Sequence, residues 1–196
     1  MHEEAKGADA SAPTGGCPTS RNGESAQALE TVKLSDQHLR DDFRCERSAR
    51  VEGFLRFDKD RLVERNYAKV FVLPSPDEAC RILGYYTLSA TVFDKHGAST
   101  QHQKRIPGGL GIPMALIGFM GRSDGAKKGT GAALIADAAL RVSRISDLGI
   151  WGLTLIAERE ELLPFYQSVG FQRIRHERGS AAHRLTMYGP LKTFIE

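Results

Sequence analysis

Ala115-Leu116-Ile117-Gly118-Phe119-Met120, Gly125-Ala126-Lys127-Lys128-Gly129-Thr130-Gly131 and Leu163-Pro164-Phe165-Tyr166-Gln167-Ser168-Val169-Gly170-Phe171 are the three blocks whose order decides the fold. The first is a short apolar strand. The second is a basic, glycine-rich loop that opens a long apolar helix. The third puts a tyrosine on a short helix ending in Gly-Phe. A helix N-terminus carries unpaired backbone N–H groups and the positive end of the helix dipole. A phosphate placed there is held by both. Gly129 and Gly131 permit positive φ and a close approach to an anion, and Lys127 and Lys128 add charge beside them. Beyond the loop, Leu134, Ala138, Val142 and Ile145 recur at helical spacing and make one apolar face. Taken alone, the loop also fits an ordinary strand–turn–helix. It lacks the Gly-Lys-Ser/Thr ending of a nucleotide P-loop. It also lacks the early strand and downstream acid of a dinucleotide fingerprint.

Outward from these blocks, the sequence alternates between helical and strand-like stretches. A strand is expected near Leu29 to Leu34, and a helix or helix pair over about Gln37 to Asn66. Strands follow at Lys69 to Leu73 and at Arg81 to Phe93, the second rich in Tyr, Thr, Leu and Val. Asp94 to Gly111 reads as a polar, glycine-rich loop bordering an acceptor site. A strand is expected at Ala115 to Gly121, a helix at Gly131 to Asp147 and a strand at Gly149 to Ala157. A short helix at Glu161 to Val169 and a last strand near Ala181 to Tyr188 complete the order. The fold class is α+β with a central mixed sheet flanked by helices. Gly118 and Gly121 fit a bulge or a close backbone approach by a ligand.

The 196 residues suit one compact domain, and 41% hydrophobic with 26% charged residues are globular values. Residues 1–33 differ: they are rich in Ala, Ser, Thr, Gly and Glu and show no apolar period. Such a segment buries too little apolar area to offset its ordering entropy, so it reads as a flexible leader ahead of a domain at 34–196. It is not a signal peptide, because His2-Glu3-Glu4 is acidic and no apolar core follows. The leader holds three basic and five acidic residues, so with a whole-chain charge of +3 the remainder carries +5. That excess favours a polyanionic partner, although it is also ordinary for a solvated surface.

Cys17, Cys45 and Cys80 are too few and too scattered for a disulfide framework or a zinc site. Reduced thiols in a cytoplasm are the simplest reading. The histidines show no metal spacing, so no metal is expected. The longest uncharged stretch, Ile106 to Gly121, falls short of the roughly 18 residues a membrane span needs, and Pro107 and Pro113 interrupt it.

In their order, the three blocks resemble the GNAT superfamily of acetyl-coenzyme A-dependent N-acetyltransferases. The resemblance implies a sheet that splays at the fourth strand, with pantetheine in the gap. It implies cofactor contacts from Phe119, Met120 and Gly121 on the strand and from Lys127, Lys128, Gly129, Thr130, Gly131 and Ala132 on the loop. It also implies that Tyr166 protonates the leaving thiolate. The family loop commonly opens with Gln or Arg where this chain has Ala126.

A narrower resemblance covers most of the chain from about Leu34. Asp42-Phe43-Arg44-Cys45, Arg65-Asn66-Tyr67-Ala68-Lys69-Val70-Phe71-Val72-Leu73, Leu83-Gly84-Tyr85-Tyr86-Thr87-Leu88-Ser89, Ile106-Pro107 and Ile112-Pro113 follow the layout of the acetyltransferase toxins of bacterial toxin–antitoxin pairs. That resemblance implies transfer of an acetyl group to the amino acid on a charged tRNA, which blocks translation. It implies a small ribbon-helix-helix antitoxin as partner, and a homodimer is a further expectation. The chemistry suits such an acceptor, because an α-amino group titrates near about 8 and has a substantial neutral fraction at working pH. Arg44, Arg47, Lys104, Arg105 and Arg175 are the candidate acceptor contacts. A GNAT enzyme acting on a small-molecule or protein amine, and a non-catalytic coenzyme A-binding module, remain the alternatives.

Overall fold

The computed structural model describes residues 30–58, 62–94, 104, 111–174 and 185–195. Seven strands form one mixed sheet: β1 (Val32–Lys33), β2 (Lys69–Pro74), β3 (Ile82–Phe93), β4 (Ile112–Arg122), β5 (Gly152–Ile156), β6 (Gln172–Arg173) and β7 (Thr186–Pro190). Their order across the sheet is β1-β2-β3-β4-β5-β7-β6. All neighbours are antiparallel except β4 and β5, which run parallel. A parallel pair needs a crossover, and here it is α2 (Thr130–Ser143). The other helices are α1 (Ala49–Gly53), α3 (Leu163–Ser168) and α4 (Lys192–Ile195).

The sheet separates two cores, and two adjacent tyrosines show how. Successive strand residues point to opposite faces. Tyr86 therefore joins the α2-side core of Leu134, Ile135, Ala138, Leu153 and Met187. Tyr85 joins the α1-side core of Phe43, Phe54, Val70 and Val72. Neither exposes any surface. The Tyr85 hydroxyl donates to the Val51 carbonyl at 2.6 Å, and the Tyr86 hydroxyl donates to Asp137 on α2. The expected apolar face of α2 is buried at Leu134, Ala138 and Val142. Ile145 lies past the C-cap at Arg144 and is exposed.

Of the helix or helix pair expected over about Gln37 to Asn66, the described residues form helix only from Ala49 on. Turns run to Arg47, then the five residues of α1, then a wider π-type turn at Phe54–Asp58. Short polar side chains cause the break. Ser48 is extended at φ −153° and accepts from the Val51 N–H, so it starts a helix rather than continuing one. Glu52 reaches back to accept from the Cys45 N–H at 2.9 Å, which holds its carboxyl below the usual range. Cys45 is a free, buried thiol. Cys80 is buried, and Cys17 lies outside the described residues. Most of the expected Asp94–Gly111 loop lies outside the described residues, as do residues 1–29 of the leader.

Candidate active site

The parallel pairing of β4 and β5 stops early. It runs from Met114 opposite Gly152 to Ile117 opposite Leu155. β4 continues to Arg122, and β5 ends at Ile156. Beyond Ile117 the two strands therefore part, and a gap opens with no hydrogen bonds across it.

A bulge at the same point aims the backbone. The β3–β4 register shifts between Tyr86 and Leu88, beside Gly118 and Phe119. The Phe119 N–H is taken by the Thr87 hydroxyl at 3.0 Å, on the β3 side. The Ser123 N–H is also on that side, bonded to the Leu83 carbonyl. Strand N–H groups alternate, so the Met120 N–H faces the gap. Of the three strand residues expected at the cofactor, Met120 therefore offers the free donor. Phe119 is stacked on Phe54 at 3.9 Å between ring centroids, with Arg50 over it. Gly121 has a packing reason for its missing side chain: a Cβ there would sit 2.3 Å from a Val51 methyl.

The loop after β4 opens α2 with unpaired backbone N–H groups. Gly129 is the N-cap of α2, in the left-handed region at φ +95°, and a Cβ there would meet nothing within 4 Å. The first helical bond runs from the Ala133 N–H to the Gly129 carbonyl. The N–H groups of Gly131 and Ala132 precede it and have no intrahelical partner. Thr130 is buried and turns inward, its hydroxyl donating to the Lys127 carbonyl at 2.7 Å. Lys127 and Lys128 are exposed. Gly131 faces Phe165, whose ring a Cβ would meet at 3.2 Å. Ala126 is buried, and its carbonyl accepts from the Arg122 guanidinium at 2.9 Å. A cation from β4 thus reaches the loop position where the resembling family carries Gln or Arg.

Two cavities open on either side of the gap. The larger, of 480 Å³, is lined by Met120, Gly121, Arg122, Lys128, Gly129 and Ala132, among others. The smaller, of 370 Å³, is lined by Gly118, Phe119, Leu155, Ile156 and Arg50, among others. Val51, Met120, Glu158, Leu162 and Tyr166 line both. Tyr166 therefore stands at the junction. Its ring packs edge-on against Phe171 at 5.9 Å and against Phe165 at 5.2 Å. Gly170, at φ +105°, ends the turn and lets Phe171 fold back beneath the tyrosine, bonded from its N–H to the Tyr166 carbonyl at 3.0 Å. Burial, then the Glu158 charge, pushes the Tyr166 phenol up to about 12. It is protonated at neutral pH, and its hydroxyl makes no hydrogen bond to the described residues.

The structure and the comparisons agree on the architecture. No family model matches the chain. Solved structures do. AtaT complexed with acetyl-methionyl-tRNAfMet is 26% identical at a TM-score of 0.72, covering 83% of this chain and 95% of its own. A tyrosine-to-phenylalanine mutant of KacT is 25% identical at 0.74, covering 86% of this chain and 98% of its own. AtaTR bound with acetyl-coenzyme A is 26% identical at 0.66, covering 84% and 94%. This is a GNAT-fold chain, similar to the acetyltransferase toxins of toxin–antitoxin systems.

The candidate acceptor residues are placed unevenly. Arg47 lines the larger cavity, and its carbonyl accepts from Arg159 at 3.0 Å across the cavity mouth. Arg44 is exposed, but one guanidinium nitrogen is spent on the Asp41 and Phe43 carbonyls. Lys104 is exposed, while Arg105 and Arg175 lie outside the described residues. Arg50, in the basic run Arg40/Arg44/Arg47/Arg50, lines the smaller cavity; Arg122 and Arg159, which sequence reasoning passed over, line the larger. Among the described residues, no cluster of His, Cys, Asp and Glu is fit to hold a metal. Nor is any helix there long and apolar enough to cross a membrane.

Proposed function

We propose that this chain transfers an acetyl group from acetyl-coenzyme A to the α-amine of an aminoacyl-tRNA and so blocks translation. The observation that carries the reading is the junction: Tyr166 stands where a cofactor-sized cavity and an acceptor-sized cavity meet, beside a strand N–H with no partner strand. The pyrophosphate rests on the Gly131 and Ala132 N–H groups, with Arg122 and Lys128 beside it. Pantetheine takes the place of the missing β5 pairing along β4. The Met120 N–H meets the thioester oxygen as negative charge develops there. The acceptor amine enters from the smaller cavity and attacks the carbonyl carbon. Tyr166 gives its proton to the departing sulfur.

The choice of acceptor rests on amine chemistry and on likeness. An α-amine titrates at about 8 and has a substantial neutral fraction there, where a lysine does not. Arg47, Arg50 and Arg159 bring positive charge to the cavity mouths. The similar AtaT was solved with acetyl-methionyl-tRNAfMet, and another AtaT structure holds the C-terminus of the antitoxin AtaR. By that likeness we assign this chain a toxin role in the cytoplasm, with a small antitoxin as partner. The test is to incubate the protein with labelled acetyl-coenzyme A and a pool of charged tRNAs. Label should enter the aminoacyl-tRNA fraction. Label confined to small amines or proteins would move the acceptor to another class.

A further inference from the structure

We propose that Glu158 takes the proton that the acceptor amine sheds on attack, and that this transfer readies Tyr166 to protonate the leaving sulfur. The proposal rests on the N-acetyltransferase reading above. Of the five residues shared by the two cavities, only Glu158 and Tyr166 carry ionisable side chains. Glu158 is also the sole carboxylate among the described residues lining either cavity. Its position is fixed from two sides. The chain places it just past the end of β5, where the Ala157 N–H bonds the Leu185 carbonyl at 2.8 Å. From across the gap, the Ser48 hydroxyl donates to Oε1 at 2.9 Å, and Ser48 is itself held as the N-cap of α1. Oε2 makes no hydrogen bond to the described residues.

The step balances as follows. The amine lone pair attacks the carbonyl carbon, a C–N bond forms, and the C=O π pair moves to the oxygen facing the Met120 N–H. The nitrogen is now cationic, and one of its protons passes to Oε2 of Glu158. The oxygen pair returns, the C–S bond breaks, and the sulfur takes the Tyr166 proton. The phenolate then recovers a proton from the Glu158 carboxyl. Both side chains end as they began, and the net change is amide plus thiol.

The electrostatics put these events in order. Burial raises the Tyr166 phenol first, and the Glu158 charge raises it further. Neutralising Glu158 removes the second cause. Tyr166 thus becomes a better acid once the amine has given up its proton, and not before. The other charged and titratable groups lining the two cavities are Cys45, Arg47 and Arg50 from the α1 side, Arg122 from β4, Lys128 from the loop, and Arg159 next in sequence, and the Glu158 charge also acts on the buried Tyr85 phenol.

The test is Glu158→Gln, which keeps the shape and an oxygen for Ser48. With a confirmed acceptor, turnover at neutral pH should fall on the order of 10²-fold, while the acetyl-coenzyme A KM changes little. The deficit should shrink at higher pH, as hydroxide takes over proton removal. Glu158→Asp should recover part of the loss. Wild-type turnover by Glu158→Gln across the pH range would overturn the proposal. So would a loss confined to acetyl-coenzyme A affinity, which would make Glu158 a wall of the cofactor cavity. A wild-type protein that acetylates no amine would instead refute the transferase reading itself.

Discussion

Tyr166→Phe separates chemistry from architecture cleanly. The ring contacts with Phe165 and Phe171 involve carbon atoms and survive the change. The hydroxyl makes no hydrogen bond to the described residues, so its removal orphans no partner. The stability cost should stay below about 0.5 kcal/mol, the range for substitutions that break no such feature. The cost to catalysis is of another order. Losing a positioned acid lowers rates about 10²- to 10⁴-fold, which is about 2.7 to 5.4 kcal/mol of transition-state stabilisation. The assay is thiol release from acetyl-coenzyme A in the presence of acceptor, with cofactor affinity measured by calorimetry and stability by thermal melting. The expected pattern is unchanged melting, unchanged affinity and turnover lower by at least about two decades. Turnover within a few-fold of wild type would show that the tyrosine only packs and that water protonates the sulfur.

Other consequences follow from single contacts. Arg122→Ala removes the cation that ties β4 to the Ala126 carbonyl, and acetyl-coenzyme A affinity by calorimetry should fall about tenfold, as for one charged hydrogen bond. Gly129→Val forces a branched residue into the left-handed region, at about 1 to 2 kcal/mol, and blocks the open face of the cradle. It should abolish cofactor binding while circular dichroism remains native. Burial raises the phenols of Tyr85, Tyr86 and Tyr166, the latter two to about 12. Below the ordinary tyrosine value of about 10 both states keep these protons; above it the unfolded chain releases them first. The three phenols should therefore leave stability measured by denaturant unchanged up to about pH 10 and lower it from there toward pH 12, while the buried Cys45 thiol, also raised, adds a decline that starts at lower pH.

The blocks that reported the fold in the sequence did so through local physics. Gly129 and Gly170 answer a backbone demand at positive φ, Gly131 leaves room for the Phe165 ring instead of taking the positive φ expected of it, and Leu134, Ala138 and Val142 mark one buried face. Such signals need no knowledge of the rest of the chain. The segment before α1 departs from the helix expected from Gln37 because Asp41, Asp42 and Ser48 favour turns and caps. Phe43 and Phe54 are buried all the same, so the core positions were visible although the backbone was not. Arg122 and Glu158 carried no local signal. Their meaning comes from closure across the β4–β5 gap, which brings Ser48 within 2.9 Å of a residue 110 positions away. Phe119 shows the limit within a correct block: the strand was legible, but only the bulge at Thr87 decides which N–H stays free.

The most direct test of the account is the identity of the acetylated atom. Charged tRNA is incubated with acetyl-coenzyme A and either the wild-type protein or Tyr166→Phe, digested with ribonuclease, and analysed by mass spectrometry for acetyl-aminoacyl-adenosine. The account predicts that product with wild type, the acetyl group on the α-nitrogen, and at least about 10²-fold less of it with Tyr166→Phe. Charged tRNA left unmodified by a folded protein that binds acetyl-coenzyme A would contradict it.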